Sequence, residues 1–457
     1  MPASLNPADV TIVGAGPAGL TAALDLARAG IAVTIIDEQP ELGGQYYHQR
    51  SPQIRDRLGE HRPEGRRLIE SVRNAGVTCL TSTTVWGAHE RHLSILTADS
   101  AVRELASRAV IVATGATERE IPFKGWQLPG VMSAGMAQHL TASEDVTIGR
   151  RVVVAGSGPF LIPAAAELAR HGMTVVAVIE AGRPYCARLR AMPSILFPSR
   201  LVQLAGCFAT LAAQGTTIRQ TAAVINAAAG PDGRLARVDV AQMSDLTKVW
   251  RSYEVDALCI SYGFRPQTEL LRLLGCAVHE EESTHELVPI TDGAGRTDID
   301  GVYAAGESSG IRGVHSALAQ GHLVAASVLE DLGEVRPSGR IDKARKAVAH
   351  EDRFAQLAGK LYPHPADLAR TLLRAMPAST QVCRCEGVDL GTLRALAQVD
   401  ELDLSAVKTR TRACMGPCQG RECSFAVAAL FDSGLSSLTA RAPVRPVPLS
   451  AIVGGQR

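Results

Sequence analysis

Residues 10–20 read Val-Thr-Ile-Val-Gly-Ala-Gly-Pro-Ala-Gly-Leu, and the rest of the chain is interpreted from this stretch. Four β-forming residues lead into Gly14, Gly16 and Gly19, and an Ala- and Leu-rich helical pattern follows over 20–29. The first glycine permits a tight turn, the second lets the backbone approach a pyrophosphate, and the third allows close packing of helix on strand. A lone GxGxxG motif is weak evidence, but here it stands between a strand and a helix. It therefore predicts a dinucleotide-binding βαβ unit.

Acidic residues and a second glycine turn follow at the distances that such a unit requires. An apolar strand over 32–36 ends in Asp37, which is followed by Glu38. An acidic residue about twenty positions after the glycines suits a pair of ribose hydroxyls. Residues 43–45, Gly-Gly-Gln, form a loop where backbone can lie against a flavin or its ribityl chain, the alternative being an ordinary glycine turn. The candidate cofactor contacts here are Asp37, Glu38, Gly44 and Gln45.

Two later stretches are expected to return to the same site. An apolar strand at 109–113 ends in Thr114 and Gly115. In flavoproteins with two dinucleotide domains this strand comes back beside the cofactor, so both residues are expected to line the site. Gly306 and Glu307 precede a small-residue helix, where the last contact with a ribityl hydroxyl is expected. Glu307 is one methylene longer than the usual aspartate, so its hydrogen bond must be re-aimed.

Residues 151–180 repeat the opening pattern, with an apolar run, a glycine turn, a helical stretch and a second strand. This internal repeat is the strongest architectural signal in the chain. Gly156, Gly158 and Glu180 are the candidate contacts of a second nucleotide, although Leu161 replaces the third glycine. A scaffold domain that has lost its ligand is the alternative.

The predicted fold is α/β: a flavoprotein with two Rossmann-like FAD/NAD(P)-type dinucleotide-binding domains and a small helical C-terminal domain. The first domain is expected to be split, with the second domain inserted into it. Prolines and glycines mark the segment where the chain crosses from the first domain to the second. A charged helical stretch broken by prolines predicts a linker that wraps or bridges. The predicted parts are 1–125 with 250–335 (FAD-binding domain), 126–249 (second dinucleotide-binding domain), 336–380 (helical linker), 381–435 (cysteine-containing domain) and 436–457 (extended tail).

Length and charge exclude several classes of protein. The 457 residues have room for about three domains. With Lys+Arg 47 against Asp+Glu 46, no electrostatic footprint for nucleic acid or an anionic membrane is present. The N-terminal residues lack the features of a signal peptide, and 201–218 is too interrupted to span a membrane. The apolar spacing in 201–214 predicts a buried or partner-facing helix, and a cytoplasmic location is expected.

Five of the ten cysteines crowd into a short C-terminal segment. Cys383 and Cys385 form a C-x-C pair, while Cys414, Cys418 and Cys423 follow in a glycine-containing loop. Four thiolates drawn from two loops suit either Zn²⁺ or an iron–sulfur cluster. C-x-C is less usual for zinc, and an upstream flavin domain favours an electron carrier. The basic residues that would offset part of a cluster's negative charge are Arg384, Lys408, Arg410, Arg412 and Arg421.

These stretches together resemble the FAD-containing A (α) subunits of opine oxidases, with the related subunits of hydrogen cyanide synthase and of D-hydroxyproline or dye-linked proline dehydrogenases. The run 415–423 resembles the bacterioferritin-associated-ferredoxin (BFD-like) type of [2Fe–2S] domain. That resemblance implies Cys383, Cys385, Cys418 and Cys423 as ligands and Cys414, a position often glycine in relatives, as a spare thiol. The matching stretches, which span nearly the whole chain to 435, are 10–20, 37–40, 43–45, 113–119, 121–132, 156–159, 263–266 and 381–423.

In such relatives a separate flavin-containing subunit oxidises the C–N bond of an amino or imino acid, and the α-type chain passes the electrons onward. The resemblance therefore implies FAD, a [2Fe–2S] cluster, and a second nucleotide (NAD(P) or ATP) or an interfacial FMN. It also implies an amino-acid-oxidase-like partner, a small ferredoxin-like subunit, and membrane association only through partners. No catalytic constellation stands out in the chain, and His48, His139 and His315 are expected to be structural.

Two other functions stay open at this point. One is a self-contained reductase in which NAD(P)H, bound at residues 156–180, reduces FAD and the cluster passes electrons to an acceptor. Leu161 counts against that function. The other is a non-enzymatic cluster carrier or docking subunit whose flavin is only structural.

Overall fold

The structure is a computed structural model that describes residues 8–184, 198–281, 286–334, 338–398, 402–433, 435 and 440–454. The strands are Ala8–Val13 (β1), Val33–Ile36 (β2), Thr78–Leu80 (β3), Thr84–His89 (β4), His92–Leu96 (β5), Val102–Val112 (β6), Ala116–Glu118 (β7), Val131–Ser133 (β8), Arg151–Gly156 (β9), Thr174–Glu180 (β10), Thr217–Gln220 (β11), Ala222–Ala229 (β12), Leu235–Gln242 (β13), Arg251–Glu254 (β14), Ala257–Ser261 (β15), Phe264–Pro266 (β16), Val278–Glu280 (β17), Leu287–Pro289 (β18), Val302–Ala304 (β19), Gln381–Cys383 (β20) and Val388–Asp389 (β21). The helices are Pro17–Arg28 (α1), Pro52–Leu58 (α2), Pro63–Asn74 (α3), Ala134–Ala142 (α4), Leu161–Arg170 (α5), Pro198–Ala213 (α6), Glu269–Leu273 (α7), Val314–Asp331 (α8), Ser338–Gly359 (α9), Pro365–Ala375 (α10), Leu390–Ala397 (α11), Leu404–Thr411 (α12), Ser424–Phe431 (α13) and Leu449–Gly454 (α14), with a 3₁₀ turn at Gly306–Ser309.

The first sheet combines a parallel half with an antiparallel meander. Its strand order is β3-β2-β1-β6-β5-β4, and β19 adds to β6. β6 spans both halves, because its beginning pairs with β5 and its apolar end pairs in parallel with β1. The parallel strands are apolar throughout because α1, α3 and α8 cover one face while α7 and the meander cover the other. The end of β6 therefore lies beside the glycine turn that follows β1.

The second sheet is parallel, in the order β11-β10-β9-β15-β8, and a separate antiparallel sheet has the order β12-β13-β14. β15 pairs with β9 and β8, so this domain extends past the expected boundary at residue 250, to Ser261. The five residues of β15 are all buried. Because a short buried strand has the same apolar sequence pattern in either domain, the pattern does not indicate which sheet the strand joins. The chain crosses between the two domains at β7 and again at β16, and these two short strands pair with each other in antiparallel fashion.

α6 covers nearly all of the helix expected over 201–214. Its residues Cys207 and Leu211 are buried against α5, while Val202 on another face is 74% exposed. The helix thus has one packed face and one open face. Among the described residues, no helix combines the length and apolar character needed to cross a bilayer.

The C-terminal elements attach to both dinucleotide-type domains. α9 packs on α8 through Ala344, Ala319 and Leu323, whereas α10 shares a core with α11 and α13. The expected linker 336–380 thus contributes one helix to each side. Trp126 Nε1 donates a hydrogen bond to Gln381 O (2.7 Å) and ties β20 to the second domain. Of the expected tail 436–457, the described part, 440–454, ends in α14.

Candidate functional site

The first glycine turn is shaped by close backbone contacts. Gly14 has φ +108°, and a Cβ there would overlap Ala113 O. A Cβ at Gly19 would overlap Gly14 O, whereas no atom lies within 4 Å of the equivalent position at Gly16. α1 begins directly after Gly16 and has no acidic residue in its first turn. The open space at Gly16 therefore lies at a helix N-terminus that favours an anion.

The two acidic residues after β2 have different roles. Asp37 accepts hydrogen bonds from Ala15 N (2.6 Å) and Gln39 N (2.8 Å), and burial raises its pKa. Glu38 is exposed and pairs with Arg445 at 3.3 Å. Asp37 thus anchors the glycine turn. Because a carboxylate has roughly four acceptor sites, it retains capacity for a ribose hydroxyl.

The loop 43–45 lies against this turn. A Cβ at Gly44 would lie 2.8 Å from Gly16 Cα, so only glycine lets the two backbones approach this closely. Gln45 is exposed at the end of the loop.

The strand β6 delivers Thr114 and Gly115 to the same turn. Thr114 Oγ1 donates to Gln267 O (2.8 Å), and Gln267 Nε2 donates to Thr114 O (3.1 Å). Gly115 has φ +72° and no close neighbour at its Cβ position. The chain returning from the second domain therefore holds these residues in place.

Gly306 and Glu307 complete this group. A Cβ at Gly306 would lie 2.9 Å from Ala18 Cβ, at the start of α1. Glu307 Oε1 accepts a hydrogen bond from Gly313 N (3.2 Å), and burial raises the Glu307 pKa. The longer side chain is thus directed at the backbone before α8. The sequence-predicted residues that the structure brings to the N-terminus of α1 are Gly14, Gly16, Gly19, Asp37, Gly44, Thr114, Gly115, Gly306 and Glu307.

The second glycine turn repeats the same anchoring. Glu180 is buried, and its carboxylate accepts from Ser157 Oγ (2.7 Å), Gly182 N (2.8 Å) and Gly158 N (3.1 Å). Burial raises its pKa to about 7. Glu180 thus serves the second turn as Asp37 serves the first.

Leu161 is accommodated because the second helix starts later. A Cβ at Gly156 would overlap the backbone of β15, so this glycine matches Gly14. α5 begins only at Leu161, beyond Gly158, whereas α1 begins directly after its own second glycine. At the first position of α5 the leucine packs into the core, and no close helix–strand contact there requires a glycine.

The segment between α9 and α10 lies over the second turn. Pro363 Cδ is 2.7 Å from the position of a Cβ at Gly182, next to the Glu180 anchor. A nucleotide ribose approaching Glu180 would have to share this space with Pro363.

Four cysteines form two thiol pairs, each joining the two cysteine-bearing segments. Cys383 interacts with Cys423, and Cys418 interacts with Cys385. Cys383 and Cys423 are buried, whereas Cys385 is exposed. The neighbouring Cys423 thiol and burial raise the pKa of Cys383. A metal ion that binds Cys383 must therefore displace the thiol proton.

Cys414 stands beside the buried pair. Its Sγ lies 3.6 Å from Cys423 Sγ, and its φ of +66° is unusual for a residue with a Cβ. Of the nearby basic residues, Arg384 pairs with Glu422 and Arg412 with Glu386. Arg421 Nη1 donates to Cys418 O (3.2 Å) and so contacts the loop itself.

A buried ionic network connects the crossings to the cysteine loop, and motif analysis missed its pairing. Arg119 and Glu286 lie 3.0 Å apart with both side chains 3% exposed. Arg265, on β16, also pairs with Glu286 (3.0 Å) and donates to Arg421 O (3.1 Å) and Ser424 Oγ (3.2 Å). Arg119 and Arg265 lie in stretches that carry the family resemblance, and this was the sequence feature that could have indicated a role for them.

Several known proteins are similar to this chain over most of its length. The sequence pattern of the family described as pyridine nucleotide-disulphide oxidoreductase matches residues 8–321. The opine oxidase A chain of Agrobacterium tumefaciens (strain Ach5) is 30% identical over 97% of this chain and 91% of its own length. Hydrogen cyanide synthase subunit HcnB of Pseudomonas aeruginosa is 29% identical over 96% of this chain and 97% of its own. L-proline dehydrogenase from P. horikoshii shares the fold, with a TM-score of 0.66 at 20% identity, covering 97% of this chain and 79% of its own.

Proposed function

Since the chain belongs to the family of opine oxidase A subunits, we propose that it carries electrons between FAD and a [2Fe–2S] cluster in a heteromeric dehydrogenase or oxidase. It is an oxidoreductase subunit whose fold indicates FAD binding, and its relatives are subunits of multi-subunit enzymes. The proposed donor is an amino or imino acid of the opine, hydroxyproline, proline or glycine type. A flavin-containing partner subunit oxidises its C–N bond.

The observation that carries this proposal is that residues 265–267 contact both candidate sites. Gln267 exchanges hydrogen bonds with Thr114 beside the first glycine turn. Arg265 donates to Ser424 Oγ, and Ser424 directly follows Cys423. An electron carrier needs its cofactors close together, and this short segment supports that proximity.

The residues around α1 suit FAD in shape and charge. The open space at Gly16 and the helix N-terminus would hold the pyrophosphate. Asp37 and Glu38 would serve the ribose, while Thr114 and Glu307 would lie toward the ribityl chain. FAD, when bound, supplies reversible hydride and single-electron transfer.

The thiol arrangement favours a two-iron cluster over a single zinc ion. Zn–S bonds of about 2.3 Å would hold all four sulfurs within about 4 Å of one another. Among the described cysteines, no three sulfur atoms lie within 4.8 Å of one another. Two separate pairs, Cys383 with Cys423 and Cys385 with Cys418, suit one pair for each iron.

The pairs also differ in their access to solvent, which supports a direction for electron flow. The buried pair packs in a core shared with the second domain, and Ser424, directly after Cys423, accepts a hydrogen bond from Arg265, two positions before Gln267 at the first glycine turn. The other pair reaches the surface at Cys385, where an external redox partner can approach. Electrons would thus enter and leave through opposite pairs.

Oxidation of the amine is assigned to the partner because of how the acidic residues at the first turn are used. Asp37 is bonded to Ala15 N and Gln39 N, and Glu307 to Gly313 N. Carboxylates held by backbone amides position a cofactor rather than remove a proton from an amine.

Purified chain should contain about one FAD and one [2Fe–2S] cluster per polypeptide, measured as released flavin, iron and acid-labile sulfide. Spin-resonance spectra after dithionite reduction test the cluster type, and a colourless preparation with stoichiometric zinc would contradict the proposed cluster.

Gly19→Ala should lose FAD, because its Cβ overlaps Gly14 O. Gly206→Ala, with nothing within 4 Å of its Cβ position, is the matched control.

Activity assays separate the proposed function from its alternatives. The isolated chain should reduce no dye with glycine, proline, hydroxyproline or opines, and co-expression with the partner should restore dye reduction. Amine-dependent reduction by the chain alone would refute this division of labour. Rapid bleaching of the flavin by NADH would instead favour the self-contained reductase. A flavin that no partner reduces, with a cluster that transfers readily to apo-proteins, would favour a carrier.

A further inference from the structure

Three side chains with metal-binding chemistry meet outside the glycine turns and the cysteine loops. They are His48, His139 and Glu144. One nitrogen of each imidazole and one carboxylate oxygen lie within 4.8 Å of one another, and across the described residues this is the one such group of three. His48 Nε2 is 3.2 Å from Glu144 Oε1. The two rings meet edge to face with centroids 3.9 Å apart.

The backbone brings these residues together from two domains. His139 lies in the last turn of α4, and Glu144 follows just beyond the helix end, where Ser143 N donates to His139 O. His48 directly follows the turn in which Tyr47 N donates to Gly43 O (3.0 Å). Because both supports are hydrogen-bonded backbone, the three side chains converge without a large rearrangement.

The state of His139 favours a ligand. Its Nδ1 atom is buried and has no hydrogen-bond partner among the described residues, which is unusual for a buried polar atom. Burial and the neighbouring His48 ring lower the pKa of His139. The imidazole is therefore neutral near pH 7, which is the form that coordinates a metal.

We propose that His48, His139 and Glu144 bind a divalent transition-metal ion of the zinc type and leave a fourth position to water. Imidazole nitrogen and carboxylate oxygen are ordinary zinc ligands. Ligand atoms on tetrahedral zinc lie about 3.4 Å apart, so the separations must close by at most about 1.4 Å (4.8 minus 3.4). His48 Nε2 and Glu144 Oε1 already lie 3.2 Å apart, so the adjustment concerns their distances to His139, and the Glu144 side chain, 41% exposed, can move toward that ring.

Two arginines near the site bear on its affinity. Arg57 is paired with Asp145 and contributes little net charge. Arg50 Nε donates to Ala142 O (2.7 Å) at the end of α4, and its charge weakens binding without blocking the site. The ion would join the loop that packs on the first glycine turn to the second domain. Its binding should therefore raise the unfolding temperature of the whole chain.

Zinc titration of the cofactor-loaded full chain tests this site, because a cluster on the cysteines keeps them from competing. We expect one zinc equivalent by calorimetry, and a rise in unfolding temperature. Zinc K-edge absorption should show nitrogen and oxygen neighbours only. His139→Ala and Glu144→Gln should each weaken binding roughly tenfold or more. His315→Ala, an exposed histidine on α8, is the matched control and should bind as the wild type does.

Three outcomes would overturn the proposal. They are no heat or temperature shift at millimolar zinc, unchanged binding in both ligand variants, and sulfur neighbours in the absorption spectrum. The unfolding temperature of each variant without zinc reports whether it is folded. Glu144→Gln changes an exposed side chain, so it remains informative if His139→Ala does not fold.

Discussion

Arg445, in the C-terminal tail, lies against Glu38 at the end of β2, with its Nε 3.3 Å from the carboxylate. The residue before it, Val444, donates its backbone N–H to Trp86 O (2.7 Å) and accepts a hydrogen bond from the Arg421 guanidinium. The tail thus fastens the cysteine loop to the first domain at a residue proposed to lie beside the FAD ribose. Order in the tail and order in the cysteine loop are therefore expected to depend on each other.

Replacing Arg445 with glutamine should loosen this tail. The pair with Glu38 is partly exposed, so the free energy of unfolding should fall by only about 0.5–1 kcal/mol. Hydrogen exchange should nevertheless speed up in residues 440–454 and around Arg421. Arg103→Gln, which breaks an exposed pair with Asp99, should leave that exchange unchanged. Equal protection of the tail in both variants would contradict the fastening role.

Glu286→Gln should destabilise the chain far more. Glu286 and Arg119 are both buried, and removing one partner of a buried ion pair leaves an uncompensated charge, at a cost of about 3 kcal/mol. Urea denaturation measures the loss. Glu70→Gln is the matched control, because its i,i+4 pair with Arg66 is exposed and should cost under about 0.5 kcal/mol. Similar losses in the two variants would show that the network does not hold the domain junction.

Local motifs indicated which residues meet at the first glycine turn, because most of those residues lie close together in the sequence. The spacing of Gly14, Gly16 and Gly19 between a strand and a helix indicates which glycine packs and which stays open. The structure brings Gly44 and Gly306 to the same helix end, and their contact with a cofactor stays a prediction. The spacing of the cysteines likewise predicted that two segments would meet.

Contacts between distant segments could not be predicted in the same way. Arg119 and Glu286 are 167 positions apart, and no local pattern states which buried charges will pair. The sequence also did not indicate to which sheet β15 belongs, because five buried residues suit either parallel sheet. The meeting of His48 with His139 depends on how the two domains pack. These features depend on the topology of the chain, which the periodicity of apolar residues does not indicate.

Glu180 should make stability depend on pH. Its pKa in the folded chain is about 7, above the ordinary 4.5, because the side chain is buried. The folded state therefore holds the proton more tightly than the unfolded state. Stability from this group is complete below pH 4.5 and is lost as pH rises through 7, by roughly 3 kcal/mol in all.

Glu180→Gln removes this titration, so the free energy of unfolding should fall less steeply between about pH 5 and 8. The amide would also face Gly158 N–H, which lowers stability by an amount that does not vary with pH. Urea denaturation across that range separates the slope from the offset. The exposed Glu70→Gln variant should keep the wild-type slope. Parallel curves for Glu180→Gln and the wild type would show that Glu180 does not titrate there.

The last prediction separates cluster ligands from the spare thiol. Serine at any of the four proposed ligand positions should abolish the cluster and loosen residues 381–435, because the two segments lose their cross-link. Those positions are Cys383, Cys385, Cys418 and Cys423. Cys414→Gly should keep the cluster, since the family resemblance implies the other four cysteines as ligands and Cys414 as a spare thiol that lies beside Cys423, with the two Sγ atoms 3.6 Å apart.

Glycine at this position should also relieve strain. Cys414 has φ +66°, a conformation that costs a residue with a Cβ about 1 kcal/mol, so Cys414→Gly should raise the free energy of unfolding by a comparable amount. Iron and sulfide analysis with spin-resonance spectra measures the cluster, and urea denaturation measures stability. If Cys414→Gly loses iron while Cys423→Ser retains it, Cys414 is the ligand, and the buried pair is Cys383 with Cys414.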